Sequence, residues 1–211
     1  MTRFSIFSFL LLITCFCSSP LLAVHPEKDT SVQPTQDQQE AKQFIIDLGH
    51  QAIALLTSKT ITENERKKRF IALFKNYFSI QSIAKFCLGR YWRQATDAEK
   101  KEYLTLFDSS VADNYASKFN QYNEEDQFIV SSVRPLNDGG MKVNSHLETI
   151  ENGTIKIGWL IYKVDNSYKI FDVLLEGVSM SVSQRSEYAS IIERSGGKIS
   201  SLLDALKKRQ L

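Results

Sequence analysis

The sequence predicts an α+β fold: a four-stranded antiparallel twisted sheet packed with helices from both ends of the chain. Two observations carry this. After Gln127 the apolar period drops from about 3.6 to about 2 residues, and short turn sequences of the hairpin kind join the four period-2 stretches. Helical spacing holds on both sides, from about Asp37 to Tyr122 and again after Met180. The 211 residues, 43% hydrophobic and 24% charged, suit one domain with a substantial core. A formal net charge of +2 builds no basic field, which argues against a nucleic-acid partner.

Residues 1–23 read as a secretory signal. Arg3 gives a positive start, Phe4 to Phe16 is mostly apolar, and small residues lead to Leu22-Ala23, after which cleavage is expected. The apolar run is short for a membrane span. A lipid-modified Cys15 or Cys17 is the rival reading, and Thr14 and Phe16 are poor residues to precede one. Beyond the signal only Cys87 remains, so the exported chain has no internal disulfide and relies on its core. Residues 24–39, with Pro26, Pro34 and many Gln, Asp and Thr, read as a disordered leader. Residues 40–211 are then the single folded domain.

The first helix carries Phe44, Ile45, Leu48, Ala52, Leu55 and Leu56 at helical spacing. Thr62 to Glu65 is a capping box, in which the Thr oxygen accepts a free amide and the Glu reaches back. The helix behind it bears Phe70, Ile71, Leu73, Phe74, Tyr77 and Phe78. Ser79 opens a third helix that Gly89 ends or kinks. Thr96 to Glu99 is a second capping box and opens the longest helix, whose apolar side reads Tyr103, Leu104, Phe107, Val111, Tyr115 and Phe119.

The expected strands are Phe128–Arg134, Met141–Ile150, Ile155–Val164 and Ser167–Leu175. A two-residue loop at Asp165-Asn166 would pair Lys163 with Tyr168, Ile161 with Ile170, Trp159 with Asp172 and Ile157 with Leu174. One face would then gather Ile155, Ile157, Trp159, Ile161, Tyr168, Ile170 and Leu174. The other would gather Leu160, Tyr162, Phe171, Val173 and Leu175. Both are apolar enough to need cover. Met141, Val143 and Leu147 extend the first face, while Lys142, Asn144, His146 and Glu148 are polar. Ser181 or Ser183 opens the next helix, Ser195-Gly196-Gly197 stops it, and Ile199, Leu202, Leu203 and Leu206 mark a last one.

Chemistry is hard to find. The three histidines, His25, His50 and His146, show no metal-ligand spacing, so neither a zinc site nor a catalytic triad is expected. Gly177-Val178-Ser179 is half of a nucleophile elbow, with Ser181 where the second Gly belongs. Glu124, Glu125 and Asp126 read as a solvated turn. Asn152-Gly153-Thr154 is a glycosylation sequon and is given no weight. Asp172 is the one candidate base, because the assumed register puts it on an apolar face. The other reading is a carboxylate bonded to backbone near a strand end.

Motif content gives more. The run Leu88-Gly-Arg-Tyr-Trp-Arg-Gln-Ala-Thr-Asp-Ala-Glu99, continuing to Phe107, resembles the LGxYWRxATPxQ segment of the toluene-tolerance/MlaC family. Phe171-Asp172, Glu176-Gly-Val-Ser-Met180, Gln184 to Tyr188 and the closing Ile199–Lys208 extend the resemblance over about residues 40 to 208. Asp97 stands where the family often has Pro. The resemblance implies a periplasmic phospholipid carrier of the Mla system, with an NTF2-like sheet, no catalytic residue and no cofactor beyond the phospholipid cargo. It implies exchange with an outer-membrane lipoprotein–porin complex and an inner-membrane ABC transporter bearing an MCE-type ring, by a carrier expected to be monomeric. A hopanoid carrier is the alternative within the family, and an NTF2-like enzyme using Asp172 the alternative outside it. With tails lying between sheet and helices, face and period select the lining: Met141, Val143, Leu147, Ile157, Trp159, Ile161 and Ile170 from the sheet; Leu104, Phe107 and Val111 from the long helix; Tyr91 and Trp92 from its approach.

Overall fold

The structure, a computed structural model, describes residues 33–116, 125–150 and 153–208, with side chains in 111–116 left aside. The expected signal, the leader up to Ser31-Val32, the end of the long helix toward Tyr122, Glu124 and Asn152 lie outside the described residues. From Pro34 onward the chain forms one compact unit.

Three helices open it: α1 (Gln36–Thr57), α2 (Glu63–Tyr77) and α3 (Ile80–Leu88). Thr35 caps α1, so Gln36 to Gln39 form its first turn rather than the end of a leader. Thr62 Oγ1 accepts the Glu65 amide at 3.2 Å, but the expected box is only half formed, because Glu65 Oε1 accepts from Arg69 Nε at 2.7 Å instead of reaching back. Ser79 makes no such cap; its hydroxyl donates to Ser82 Oγ at 2.8 Å. Gly89, at φ 58, ends α3 in a conformation suited to glycine. A four-residue helix, α4 (Tyr91–Gln94), leads to α5 (Asp97–Ala116). There the Thr96 amide donates to Glu99 Oε2 at 2.8 Å and the Glu99 amide to Thr96 Oγ1 at 3.2 Å, a complete capping box.

The sheet is antiparallel with strands in chain order: β1 (Gln127–Pro135), β2 (Met141–Thr149), β3 (Gly153–Val164), β4 (Ser167–Leu175) and a two-residue β5 (Val178–Ser179). The fifth strand is too short to carry a period. Helices α6 (Met180–Arg194) and α7 (Ile199–Lys208) close the chain. The cap of α6 is Ser179, whose Oγ accepts the Val182 amide at 3.1 Å, ahead of the expected Ser181 or Ser183.

The β3–β4 register departs from the simple hairpin. Lys163 pairs with Tyr168 and Ile161 with Ile170, but then Leu160 pairs with Asp172, Trp159 with Val173 and Ile157 with Leu175. One extra residue, Phe171, is taken up in a β-bulge. Beyond it every side chain of β4 changes face relative to the expected pairing. Val173 and Leu175 join Trp159 and Ile157, while Asp172 and Leu174 leave them.

Two cores result. One lies between α1 and the sheet and holds Ala41, Ile45, Leu48, Tyr77, Met141, Val143, Ile161, Tyr168 and Ile170. The other is helical, built from α3 to α7 around Cys87, Tyr91, Tyr103, Phe107, Tyr188, Ile192, Leu202 and Leu206. Tyr103, fully buried, donates from its hydroxyl to the Ala84 carbonyl at 2.9 Å. β4 is the link, with its edge bonded by the Ser79 amide at Ile170 O and then by β5.

Candidate functional site

α1 lies over β1 and β2, and α2 runs beside it toward β4 and α5. Between the two helices and the sheet is a cavity of about 260 Å³. Leu48, Gly49, Ala52, Ile53 and Leu56 line it from α1. Phe70, Leu73 and Phe74 come from α2, followed by Phe78. Its floor is Phe128, Leu147, Ile157, Trp159, Val173 and Leu175, with Met180 beside them. Among the described residues no charged side chain lines it.

Local sequence explains the space. Phe44 packs on Tyr77 with ring centroids 5.0 Å apart and on Tyr168 at 5.9 Å, plugging the side toward Met141, Ile161 and Ile170. Phe74 stacks on Phe78 at 4.1 Å and makes a wall toward β4. Phe128 meets Trp159 edge-on at 6.3 Å. The Trp159 indole donates to Ser145 Oγ at 2.8 Å, so its polar atom is satisfied and its ring is left to the apolar floor. Leu175, 37% exposed, marks the side open to solvent.

Three of the expected lining residues, Leu147, Ile157 and Trp159, stand on this floor. Met141, Val143, Ile161 and Ile170 share the face but are sealed in the core beneath α1. Tyr91, Trp92, Leu104 and Phe107 belong to the helical core and do not line this cavity. The reason is topological: α5 packs on α7, α2 and α3, not across the sheet floor. Trp92 sits between Lys85 and Lys100, whose ammonium groups lie 5.4 Å and 5.8 Å from its ring. Phe107 reaches a smaller space of about 90 Å³ between β4 and α3, walled from the main cavity by Phe74, Phe78, Val173 and Met180. The Val111 side chain lies outside the described ones.

The helical half of the lining was missed. Its signal was present: α2 carries Phe70, Ile71, Leu73, Phe74 and Tyr77 within eight residues, more apolar surface than one packed stripe uses.

Asp172 faces away from the cavity wall formed by Trp159. Its Oδ1 accepts the amides of Val173 at 2.9 Å and Ser181 at 3.0 Å, and its Oδ2 accepts the Ser179 hydroxyl at 2.5 Å. A carboxylate so engaged ties the strand to the start of α6. Of the alternatives the sequence left open, the backbone anchor is the one found. Among the described residues no group of three His, Cys, Asp or Glu is placed to hold a metal ion.

This architecture is shared. Its fold matches a solved protein from Ralstonia solanacearum, described as a phospholipid-binding protein in complex with a phospholipid. The TM-score is 0.69 at 18% identity, over 81% of this chain and 97% of that one. The family model described as MlaC protein matches residues 48–208, from the cavity stretch of α1 to the last residue of α7. That span covers most of the sequence and every strand, and the chain belongs to the MlaC family.

Proposed function

We propose that this protein is a phospholipid carrier that encloses acyl chains in the cavity between α1, α2 and the sheet. The observation that carries this reading is an open cavity lined, among the described residues, by apolar side chains and one glycine, in a chain of the MlaC family. The solved relative from Ralstonia, of like fold, holds a phospholipid. Each methylene kept from water is worth about 0.8 kcal/mol, so every stretch of acyl chain the cavity takes in favours the loaded carrier. Leu147, Ile157 and Trp159 are proposed to touch the tails from the floor, and Leu48, Ile53, Phe70 and Phe74 from the roof.

The carrier works in the periplasm, exported by residues 1–23, as a monomer. It passes phospholipid between an outer-membrane lipoprotein–porin complex and an MCE-type ABC transporter, and performs no chemistry on it. Asp172 supports that last point, since both of its oxygens accept bonds from the fold itself.

The direct test is mass spectrometry of a solvent extract from protein purified without detergent. Phospholipid in near-stoichiometric amount is expected. Protein that emerges empty from a membrane-containing host, and takes up no phospholipid from vesicles, would overturn the proposal. A hopanoid in place of phospholipid would keep the carrier and change its cargo.

A further inference from the structure

The strands that floor the cavity have a second face. Lys142, Asn144, His146 and Glu148 alternate with Met141, Val143, Ser145 and Leu147 along β2 and so point the other way. With Lys156 of β3 they line an open groove of about 430 Å³. Gly158 lies in it, opposite Asn144 and Leu174. A Cβ there would stand 3.3 Å from Leu174 Cβ and 3.6 Å from Lys142 Cε, so any side chain would fill the space between them. Glycine inside a strand forgoes packing, and here its bare Cα keeps the recess between Leu174 and the Lys142 stem open.

The groove lining carries two lysines against one carboxylate, a small positive excess. Lys142 and Lys156 have no carboxylate partner among the described residues, and Arg134 pairs with Lys142 across β1 and β2, adding a third cation to the same face. Two acids stand nearby and keep their charge, Glu148 in the lining and Glu176 beside it. Glu148 Oε1 lies 3.4 Å from His146 Nε2, and Glu176 Oε1 accepts the Lys156 backbone amide at 2.6 Å.

We propose that this groove docks an acidic segment of a partner protein. Unpaired cations supply the complementary charge. Asn144 and Thr154 offer hydrogen bonds to a backbone, and Leu174 an apolar foothold. A recess in a sheet receives a narrow chain, whereas a flat bilayer would reach only its rim. Because groove and cavity lie on opposite faces of the same strands, docking does not require the cavity to be empty.

The test is fluorescence anisotropy of a labelled peptide rich in Glu, Asp and Leu, titrated with the full chain at low and at high salt. Binding is expected at low salt and is expected to weaken as salt screens the charges. Lys142→Glu combined with Lys156→Glu is expected to weaken it about tenfold or more, with lipid content and melting temperature unchanged. If the double charge reversal folds poorly, Lys142→Gln with Lys156→Gln is expected to give a smaller loss of the same kind. Absence of peptide binding by the unaltered protein, or binding indifferent to both pairs of substitutions, overturns the proposal. So does binding only to phosphatidylglycerol vesicles, which would assign the face to a membrane.

Discussion

The ring of Phe128 lies directly on the backbone of α1 at Gly49: a Cβ at Gly49 would stand 2.1 Å from Phe128 Cδ1 and 2.8 Å from its Cγ. A glycine in a helix interior costs about 1 kcal/mol relative to alanine, and here the missing Cβ admits the ring that floors the cavity. Because Cγ itself is in the way, an alanine forces the whole ring to move, not only its far edge. Gly49→Ala is therefore expected to lower stability by about 1–3 kcal/mol despite the better helix former. It should also reduce the phospholipid held per protein. A melting curve and quantified lipid extract check both, and a variant that gains stability with full cargo would refute the packing argument.

The separation of cavity and helical core gives a paired expectation. Ile157→Glu places a charge on the cavity floor at a half-buried position, and is expected to abolish co-purifying phospholipid while circular dichroism stays native. Phe107→Ala removes a ring from the helical core and is expected to cost about 3–5 kcal/mol of stability with the same lipid classes retained. If Phe107→Ala instead empties a folded protein, the smaller space beside β4 belongs to the cargo site.

Asp172→Asn keeps the shape of the side chain but leaves one oxygen to do the work of two. One of the three donors, at Val173, Ser179 or Ser181, loses its acceptor. Hydrogen bonds to a charged group are worth about 1.5–3 kcal/mol, so a fall of that order in denaturant stability is expected, with cargo retained.

Lys163 ties the end of the sheet to α1, its Nζ 2.6 Å from Asp37 Oδ1 and 3.0 Å from Glu40 Oε2. The hydrogen bond from Lys163, then that from Gln36, hold the Glu40 carboxyl below its usual range. The bonds to Asp37 and then Glu40 hold the Lys163 ammonium above its own. A depressed carboxyl stabilises the fold above its unfolded pKa and stops doing so as pH falls through the folded value. The raised lysine contributes below its unfolded pKa and stops only as pH rises through its folded value. The tie is thus intact at neutral pH and fails in acid. Lys163→Met is expected to flatten the decline in melting temperature between about pH 5 and about pH 3. Exposure to solvent keeps the effect small.

Burial, and next the charge of Asp172, push the Cys87 thiol up to about 12. It donates weakly to the Ser181 carbonyl at 3.6 Å. Cys87 is expected to resist iodoacetamide at about pH 8 in the folded protein and to react once unfolded, as peptide mapping would report.

Much of this was legible in the residues. The period change at Gln127 located four strands to within about two residues at each end, and the Thr62 and Thr96 caps fixed two helix starts because a cap is a local bond between near neighbours. The cavity was legible only in part. Period tells which side of Trp159 or Ile157 is apolar, but not which helix covers it. Leu104 and Phe107 have the right spacing and meet a different partner, since α5 packs against α7. Met141 and Ile161 share the floor's face yet lie under the plug of Phe44 and Tyr77. The bulge at Phe171 leaves no trace in an alternation pattern, because both phases of β4 are apolar.

That one surplus residue decides which side of the sheet holds charge. Alternation gives a strand a parity, odd positions to one side and even to the other, and Phe171 reverses it midway. Before it, Ile170 belongs to the α1 side. After it, Val173 and Leu175 do, and the carboxylate of Asp172 is turned toward Ser179 and Ser181. Deleting Phe171 would restore a uniform parity and change the composition hardly at all. The pairs Leu160–Asp172 and Trp159–Val173 would survive it; only the full-length strand paired without its bulge would aim a carboxylate at Trp159 and turn Val173 and Leu175 away from the α1 side. The sidedness of this protein is therefore counted, not only composed: the chain from Ile170 to Val173 has one residue more than the stretch from Ile161 to Trp159 that it faces, and the bulge that absorbs it sets which side Asp172 takes.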